Sequence, residues 1–270
     1  MAALTHPPVL CYHRVGGPLE LGVTRVGRSV FARQMTALAR AGWHTLTLDE
    51  FANPRTTHDE RRTFLLTFDD GYASLAEYAY PVLADLGFTA TTFLITDYIG
   101  KPNTWDARYT WNRLRHLSWT QIEGWRAHGF DFASHGATHR RLTWLDDATV
   151  ETELTGSRDA LTSRLGSEGG RAIAYPFGAV DERVLSHAQH AGYELGFGGV
   201  KGSAMALHLA RVPVYFWDVG NIPLGLRNDV LGAAGKIVAH AANRCAVGTT
   251  LMQAVARRKT SPLPESVADA

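Results

Sequence analysis

Two adjacent aspartates at the end of an apolar run are the first residues that could carry chemistry. Asp69 and Asp70 follow the run 63–68 and precede Gly71. Two carboxylates this close repel each other unless a cation compensates them. Neighbouring side chains on a strand point to opposite sides, so both can face one site only where the strand ends or bends, which Gly71 permits. The pair therefore indicates a cation site, or else one aspartate merely caps the next helix.

Two histidines at i and i+4 are the second feature. His135 and His139 follow the apolar run 130–133. Both imidazoles can face one ion if the segment turns helically, and imidazole is a common metal ligand near neutral pH. Since the chain has 12 histidines, a solvated pair is the alternative. Two imidazoles and one carboxylate with open coordination positions form a known type of catalytic metal site.

Two aromatic segments complete the set of candidates. The sequence Tyr175-Pro176-Phe177-Gly178 is a short strand end broken by Pro and followed by Gly. Such a turn can present a backbone N–H group to an anion, and a plain loop is the alternative. The segment 97–119 contains Trp105 and Trp111, whose flat rings suit a sugar ring or pack as core.

The elements that must position these residues alternate between strand and helix patterns along the chain. Apolar runs such as 9–13, 44–48, 63–68, 130–134, 172–175 and 209–215 predict strands. Segments of helical spacing between them, such as 73–86 and 146–165, predict helices. This alternation predicts a parallel sheet with helical crossovers. No GxGxxG follows the first strand, so a barrel is favoured over a dinucleotide-binding open sheet. Barrels of this kind carry their active sites at the C-terminal ends of the strands, where the candidate residues fall.

Together, the segments TFDDG at 67–71, HxxxH at 135–139 with Leu142 after it, and YPFG at 175–178 resemble the polysaccharide deacetylases. This family is also called carbohydrate esterase family 4 and is defined by the NodB-homology domain. The third segment is similar to the YPYG form of the family motif. The resemblance covers roughly residues 9–215 and implies an α/β fold, a distorted (β/α)7 barrel.

The resemblance also implies a role for each motif residue. Asp70, His135 and His139 are expected to bind one divalent ion, with Zn²⁺ the expected metal. Asp69 is expected to act as general base, and the backbone N–H of Phe177 to hold the oxyanion. Tyr175, Trp105 and Trp111 are expected to bind substrate.

Two departures from the family pattern affect the expected site. Many members have an arginine before the third motif that holds the catalytic aspartate, and Ala174 stands in that place here. We do not assign this role to Arg171. No clean copy of the family's late LxH motif is present, so the general acid is expected among His13, His208 and His240. His13 is favoured because it follows the first predicted strand.

Composition excludes several classes of protein. The 270 residues include 27 basic and 26 acidic side chains, so the net charge of +1 gives no reason to expect a nucleic acid or a membrane surface as partner. Two cysteines without a CxxC exclude a disulfide scaffold and a cysteine zinc finger. We find no membrane span and no leader, which predicts a cytoplasmic location. We expect a catalytic domain at 1–220 and a C-terminal extension at 221–270.

The leading functional hypothesis is a metal-dependent hydrolase that removes an acetyl or similar acyl group from an N-acetylated or O-acetylated sugar. A deacylase of a small amide, or of a lipid-linked or nucleotide-linked amino sugar, is the first alternative. A sugar-binding protein without turnover is the second, and the oligomeric state stays open.

Overall fold

The computed structural model describes residues 6–18, 23–53, 62–105, 114–203 and 205–227. Its strands within these ranges are β1 (Val9–Tyr12), β2 (Arg14–Val15), β3 (Arg25–Val26), β4 (Trp43–Thr45), β5 (Arg62–Phe68), β6 (Thr91–Leu94), β7 (Asp131–Ser134), β8 (Ala172–Ala174), β9 (Leu195–Phe197) and β10 (Val212–Pro213). Its α-helices are α1 (Arg28–Arg40), α2 (Leu48–Ala52), α3 (Ser74–Tyr78), α4 (Tyr80–Asp85), α5 (Trp119–Arg126), α6 (Asp147–Leu165) and α7 (Glu182–His190).

Eight of these strands form one parallel sheet that curls into a barrel. The order is β10-β1-β5-β6-β7-β8-β9, and β4 pairs with the first residues of β5. The chain on either side of β10 joins the two ends: Leu209 N–H donates to Gly196 O at 2.8 Å, and Val214 N–H donates to Cys11 O at 2.8 Å. The predicted distorted (β/α) barrel is confirmed.

Side-chain alternation divides each strand between the barrel interior and the helical layer. On β5, Leu65 belongs to the interior cluster, whereas Leu66 and Phe68 pack toward the helices. The interior cluster is apolar and draws on successive strands: Val9, Leu65, Phe93, Ala133, Ala172, Ala174 and Phe197. The same alternation continues past the C-terminal ends of β1, β5 and β7 and gives His13, Asp69 and His135 inward positions.

Two helices differ from the sequence prediction. The single helix expected over 73–86 is two helices, α3 and α4, with a break at Ala79 and a proline in the first turn of α4. Helix α2 begins at Leu48, which was expected to end a strand. A capping box explains this start, because the Thr47 side chain accepts from Glu50 N–H and the Glu50 side chain accepts from Thr47 N–H.

Most of the expected extension, 221–270, lies outside the described residues, which end at 227. The boundary expected near residue 220 thus stays a prediction. Within the described residues, no helix has the length and apolar character needed to cross a membrane.

Candidate metal centre and active site

A sharp turn after β5 brings both aspartates to the mouth of the barrel. Asp70 and Gly71 both have left-handed backbone, with φ of 68° and 62°. A Cβ at Gly71 would lie 2.6 Å from Leu94 Cδ2, so glycine is required there on steric grounds as well. Helix α3 has no side-chain cap, and its N-cap residue is Ala73. The helix-capping alternative for the aspartates is therefore wrong.

The HxxxH segment reaches the same place as a loop, not as the helical turn we expected. His135 follows β7 directly, and His139 has a left-handed φ of 56°. Glu153 of α6 holds the loop between them: its carboxylate accepts from Ala137 N–H at 3.0 Å, Thr138 N–H at 2.9 Å and the Thr138 hydroxyl. This buried carboxylate fixes the distance between the two imidazoles.

Asp70, His135 and His139 converge on one point. Asp70 Oδ1 lies 3.5 Å from His135 Nε2 and 3.4 Å from His139 Nε2. Ligand atoms on a tetrahedral ion with bonds of ~2.0–2.1 Å lie about 3.4 Å apart. His135 Nδ1 donates to Ala174 O at 2.7 Å, which leaves Nε2 to bind an ion. The three residues fit a divalent metal.

Burial also prepares the two imidazoles for metal binding. It lowers the pKa of His135, and it lowers the pKa of His139 well below its ordinary value. Both side chains are therefore neutral at pH 7, and neutral imidazole is the form that binds a metal.

Asp69 lies beside this cluster, and its carboxylate forms a two-point salt bridge with the guanidinium of Arg211. Arg211 Nη1 donates to Asp69 Oδ1 at 2.6 Å and Nη2 donates to Oδ2 at 2.9 Å, while Nε donates to Gly198 O. Both side chains are buried. Burial would raise the pKa of Asp69, but the guanidinium of Arg211 outweighs it and, with His135 and His13, holds that pKa well below its usual range. Asp69 is therefore an ionised carboxylate with a fixed orientation.

His13 faces the same carboxylate from the end of β1. Its Nε2 is 4.0 Å from Asp69 Oδ2, and 22% of its side chain is exposed. Burial lowers the pKa of His13 to about 4, while the nearby Asp69 opposes that shift. Of the other two candidates for general acid, His208 is in neither of the two metal-capable clusters of the described ranges, and His240 lies outside those ranges.

His116 supports the centre from the 114–118 segment. Its Nδ1 donates to Asp70 O at 2.7 Å, and its Nε2 accepts from Trp105 Nε1 at 3.2 Å. A carbonyl only accepts and an indole only donates, so these two partners fix the neutral Nδ1–H tautomer. The Trp105 ring packs on the His139 imidazole with a centroid distance of 3.9 Å. Trp105 thus covers a metal ligand, with 6% of its surface exposed.

The third motif lies on the other side of His139. Phe177 has a left-handed φ of 61°, and its ring centroid is 4.7 Å from that of His139. Tyr175 is fully buried and donates its hydroxyl proton to Leu207 O at 2.9 Å. Its side chain therefore supports the turn and does not reach the mouth of the barrel, contrary to the expected substrate contact. Trp111 lies outside the described residues.

Sequence reasoning missed three residues of the site: Arg211, Glu153 and His116. Arg211 supplies the contact to Asp69 that is made in many family members by the arginine that Ala174 replaces here. Arg171 has no such contact and pairs at the surface with Asp49 and Glu194. The only sequence signal for Glu153 was a carboxylate on the buried face of the predicted helix 146–165.

The fold and the site together define a metal-dependent hydrolase on a parallel α/β barrel. The family model for polysaccharide deacetylases matches residues 56–196. YxkH of Bacillus subtilis, which carries the family's name, is 31% identical over 214 residues, covering 76% of this chain and 71% of that protein. The chain belongs to the polysaccharide deacetylase family, whose members are metal-dependent deacetylases of acetylated sugars.

Other relatives agree with this assignment. The poly-β-1,6-N-acetyl-D-glucosamine N-deacetylase of Staphylococcus aureus is 27% identical over 175 residues, covering 64% of this chain and 60% of that protein. The deacetylase PplD of Streptococcus pyogenes, solved with acetate, has a TM-score of 0.69 at 23% identity and covers 79% of this chain and 94% of its own. IcaB of Ammonifex degensii has a TM-score of 0.64 at 23% identity, with 88% and 97% covered. The two structures show the shared fold.

Proposed function

We propose that this deacetylase removes the acetyl group from the nitrogen of an N-acetylated amino sugar within a glycan, with Zn²⁺ as its metal. The triangle of Asp70, His135 and His139 beside an Arg211-held Asp69 carries the proposal. A ligand set of two imidazole nitrogens and one carboxylate oxygen, with open coordination positions, suits Zn²⁺ in a hydrolase. The S. aureus relative, named for a poly-N-acetylglucosamine substrate, supports the class of sugar.

Asp69 is the general base in this proposal. Its Oδ2 faces the cluster, at 3.9 Å from His135 Nε2, so it can accept a proton from an attacking water between them. When bound, the ion lowers the pKa of water and polarises the acetyl carbonyl. Arg211 keeps the Asp69 carboxylate ionised and in a fixed orientation, so the carboxylate does not need to reorient when it accepts the proton.

His13 is the general acid in this proposal. Its Nε2 lies within 4.0 Å of Asp69 Oδ2, so the proton that Asp69 accepts can pass to His13 with a small movement. From His13 the proton goes to the amine nitrogen as the C–N bond breaks. Its low pKa, about 4, favours giving the proton up.

The backbone N–H of Phe177 is proposed to stabilise the negative charge that develops on the acetyl oxygen. The contact of the Phe177 ring with His139, at a centroid distance of 4.7 Å, and the turn made by its positive φ support this role. Trp105 and Trp111 are proposed to contact the sugar.

Acetate release tests this function. Protein loaded with Zn²⁺ is offered N-acetylglucosamine oligomers and, in parallel, an O-acetylated sugar. We expect acetate and a free amine from the oligomers, loss of turnover with a chelator, and recovery with Zn²⁺. Turnover of the ester alone, or turnover that survives full removal of metal, would contradict the proposal.

A further inference from the structure

A second group of metal-binding side chains adjoins the first. Cys11 Sγ, His13 Nε2 and a carboxylate oxygen of Asp69 all lie within 4.8 Å of one another. Cys11 Sγ is 3.5 Å from Asp69 Oδ2, and His13 Nε2 is 4.0 Å from the same oxygen. The distance between Cys11 Sγ and Asp69 Oδ2 is that of two ligand atoms on a tetrahedral ion, where bonds to sulfur are ~2.3 Å and bonds to nitrogen ~2.0–2.1 Å. His13 Nε2 needs to move inward by about half an ångström to complete the set.

The donor types distinguish this group from the family's metal cluster. Asp70, His135 and His139 offer nitrogen and oxygen, whereas Cys11 adds a thiol. Sulfur ligands favour soft ions such as Cd²⁺ and borderline Zn²⁺ over Mg²⁺ or Mn²⁺. Side-chain alternation on β1 places Cys11 and His13 on the same inward face, with Tyr12 on the other.

Without an ion, Cys11 is a buried thiol that donates to Asp69. Strand pairing holds Cys11 beneath this carboxylate, since Cys11 pairs with Thr67 of β5 and with Pro213 of β10. His13 adds an imidazole whose Nδ1 is buried and has no hydrogen-bond partner in the described part of the chain. All three donors are thus in place before an ion arrives.

We propose that Cys11, His13 and Asp69 form a second, inhibitory site for a soft divalent cation. The incoming ion replaces the thiol proton, which goes to solvent, and forms bonds to Sγ, Nε2 and Oδ2. The positive guanidinium of Arg211, which is bonded to Asp69, weakens cation binding at this second site. The site therefore fills only after the catalytic site is occupied and further metal is present.

Occupancy stops turnover for a reason that rests on the proposed function. The ion coordinates the Oδ2 lone pair with which Asp69 accepts a proton, and it also coordinates Nε2 of His13. Neither residue can then accept or donate a proton. Excess Zn²⁺ or Cd²⁺ therefore inhibits, while excess Mg²⁺ does not.

Cadmium binding tests the site without any need for turnover. Cys245→Ser removes the other of the two cysteines, and this variant is loaded with one equivalent of Zn²⁺ and titrated with Cd²⁺. We expect one further ion per chain and an ultraviolet cadmium–thiolate charge-transfer band, with the Zn²⁺ retained after gel filtration. Adding Cys11→Ser should abolish the band and weaken the second binding event at least about 10–100-fold, as loss of a ligand must cost no less than loss of its supporting partner. Cys11→Ala gives the same comparison without a hydroxyl group.

Absence of a second equivalent or of the band in Cys245→Ser overturns the proposal. A second equivalent bound equally well after Cys11→Ser overturns it too, since the ion then lies elsewhere. Because these readouts need no substrate, failure here leaves the deacetylase function standing. Conversely, cadmium binding with no acetate release from any sugar would remove the function and keep the site.

Discussion

Three side-chain-bearing residues in the described ranges have a positive φ, and all three are at the site: Asp70, His139 and Phe177. Such backbone costs free energy and persists where the surroundings enforce it. The sequence motifs predicted these residues but not their backbone, because left-handed conformations depend on contacts such as His116 to the Asp70 carbonyl. Arg211 was beyond prediction for a related reason: 142 positions separate it from Asp69, and no local pattern marks it.

Arg211 should control the pH dependence of the reaction. An opposite charge favours the ionised carboxylate, so Arg211→Gln should raise the pKa of Asp69. The base works only when ionised, so the acid limb of the kcat/KM profile should move to higher pH. Arg171→Gln, which removes a surface arginine, is the matched control and should leave the profile in place. An unshifted limb in Arg211→Gln would show that Asp69 is not the titrating base.

His13 should matter more for amides than for activated esters. An amine is a poor leaving group and needs a proton, while an activated alkoxide does not. We expect His13→Ala to lower amide turnover about 10²- to 10⁴-fold and ester turnover far less. Steady-state rates on both substrates measure the difference. Equal small losses on both would remove His13 from the mechanism.

Helices on the outside of the barrel set the geometry of the loops at its mouth. The strand ends were predictable from the alternation of apolar runs, since parallel strands place their C-terminal ends together. The conformation of the HxxxH loop was not, because it depends on Glu153 reaching Ala137 and Thr138 from α6. Periodicity alone gives no means to pair a helix residue with a particular loop.

Replacing Glu153 should weaken metal binding without removing a ligand. Glu153→Gln replaces the charged carboxylate by a neutral amide, which weakens the hydrogen bonds from Ala137 N–H and Thr138 N–H and removes the acceptor of the Thr138 hydroxyl. The loop therefore loosens and His139 moves. We expect metal affinity to fall about 10–100-fold, as for other residues that orient ligands. Chelator competition measures it. Glu151→Gln, at an exposed position of the same helix, is the control and should bind metal normally.

The barrel as a whole was the most predictable property of the chain. Strand and helix patterns repeat along the sequence, and a parallel sheet brings the three motifs to one end. The closure runs through the segment 209–215, which the apolar pattern predicts as the last strand. Only Val212–Pro213 of this segment is regular strand, while Leu209 and Val214 join the neighbouring strands through single backbone hydrogen bonds.

Metal should stabilise the whole fold, because its ligands come from β5 and from the loop after β7 and converge only in the native state. At a free ion concentration of 100 times Kd, binding adds about 2.7 kcal/mol. For a chain of this size we expect Tm to fall by about 5–10 °C on chelation. Thermal unfolding with and without chelator measures this. The double variant His135→Ala, His139→Ala should show no metal-dependent change, and a shift as large as in the parent protein would place the ion elsewhere.

The central claim is that Asp70 binds the metal while Asp69 acts as general base. Measuring metal content together with acetate release tests this claim most directly. Asn tolerates left-handed backbone, so Asp70→Asn keeps the turn while removing a charged ligand. Asp69→Asn should retain about one equivalent of metal and lose about 10²- to 10⁴-fold in turnover. Asp70→Asn should lose both metal and turnover. An Asp69→Asn protein without metal, beside an Asp70→Asn protein that keeps it, would contradict the account.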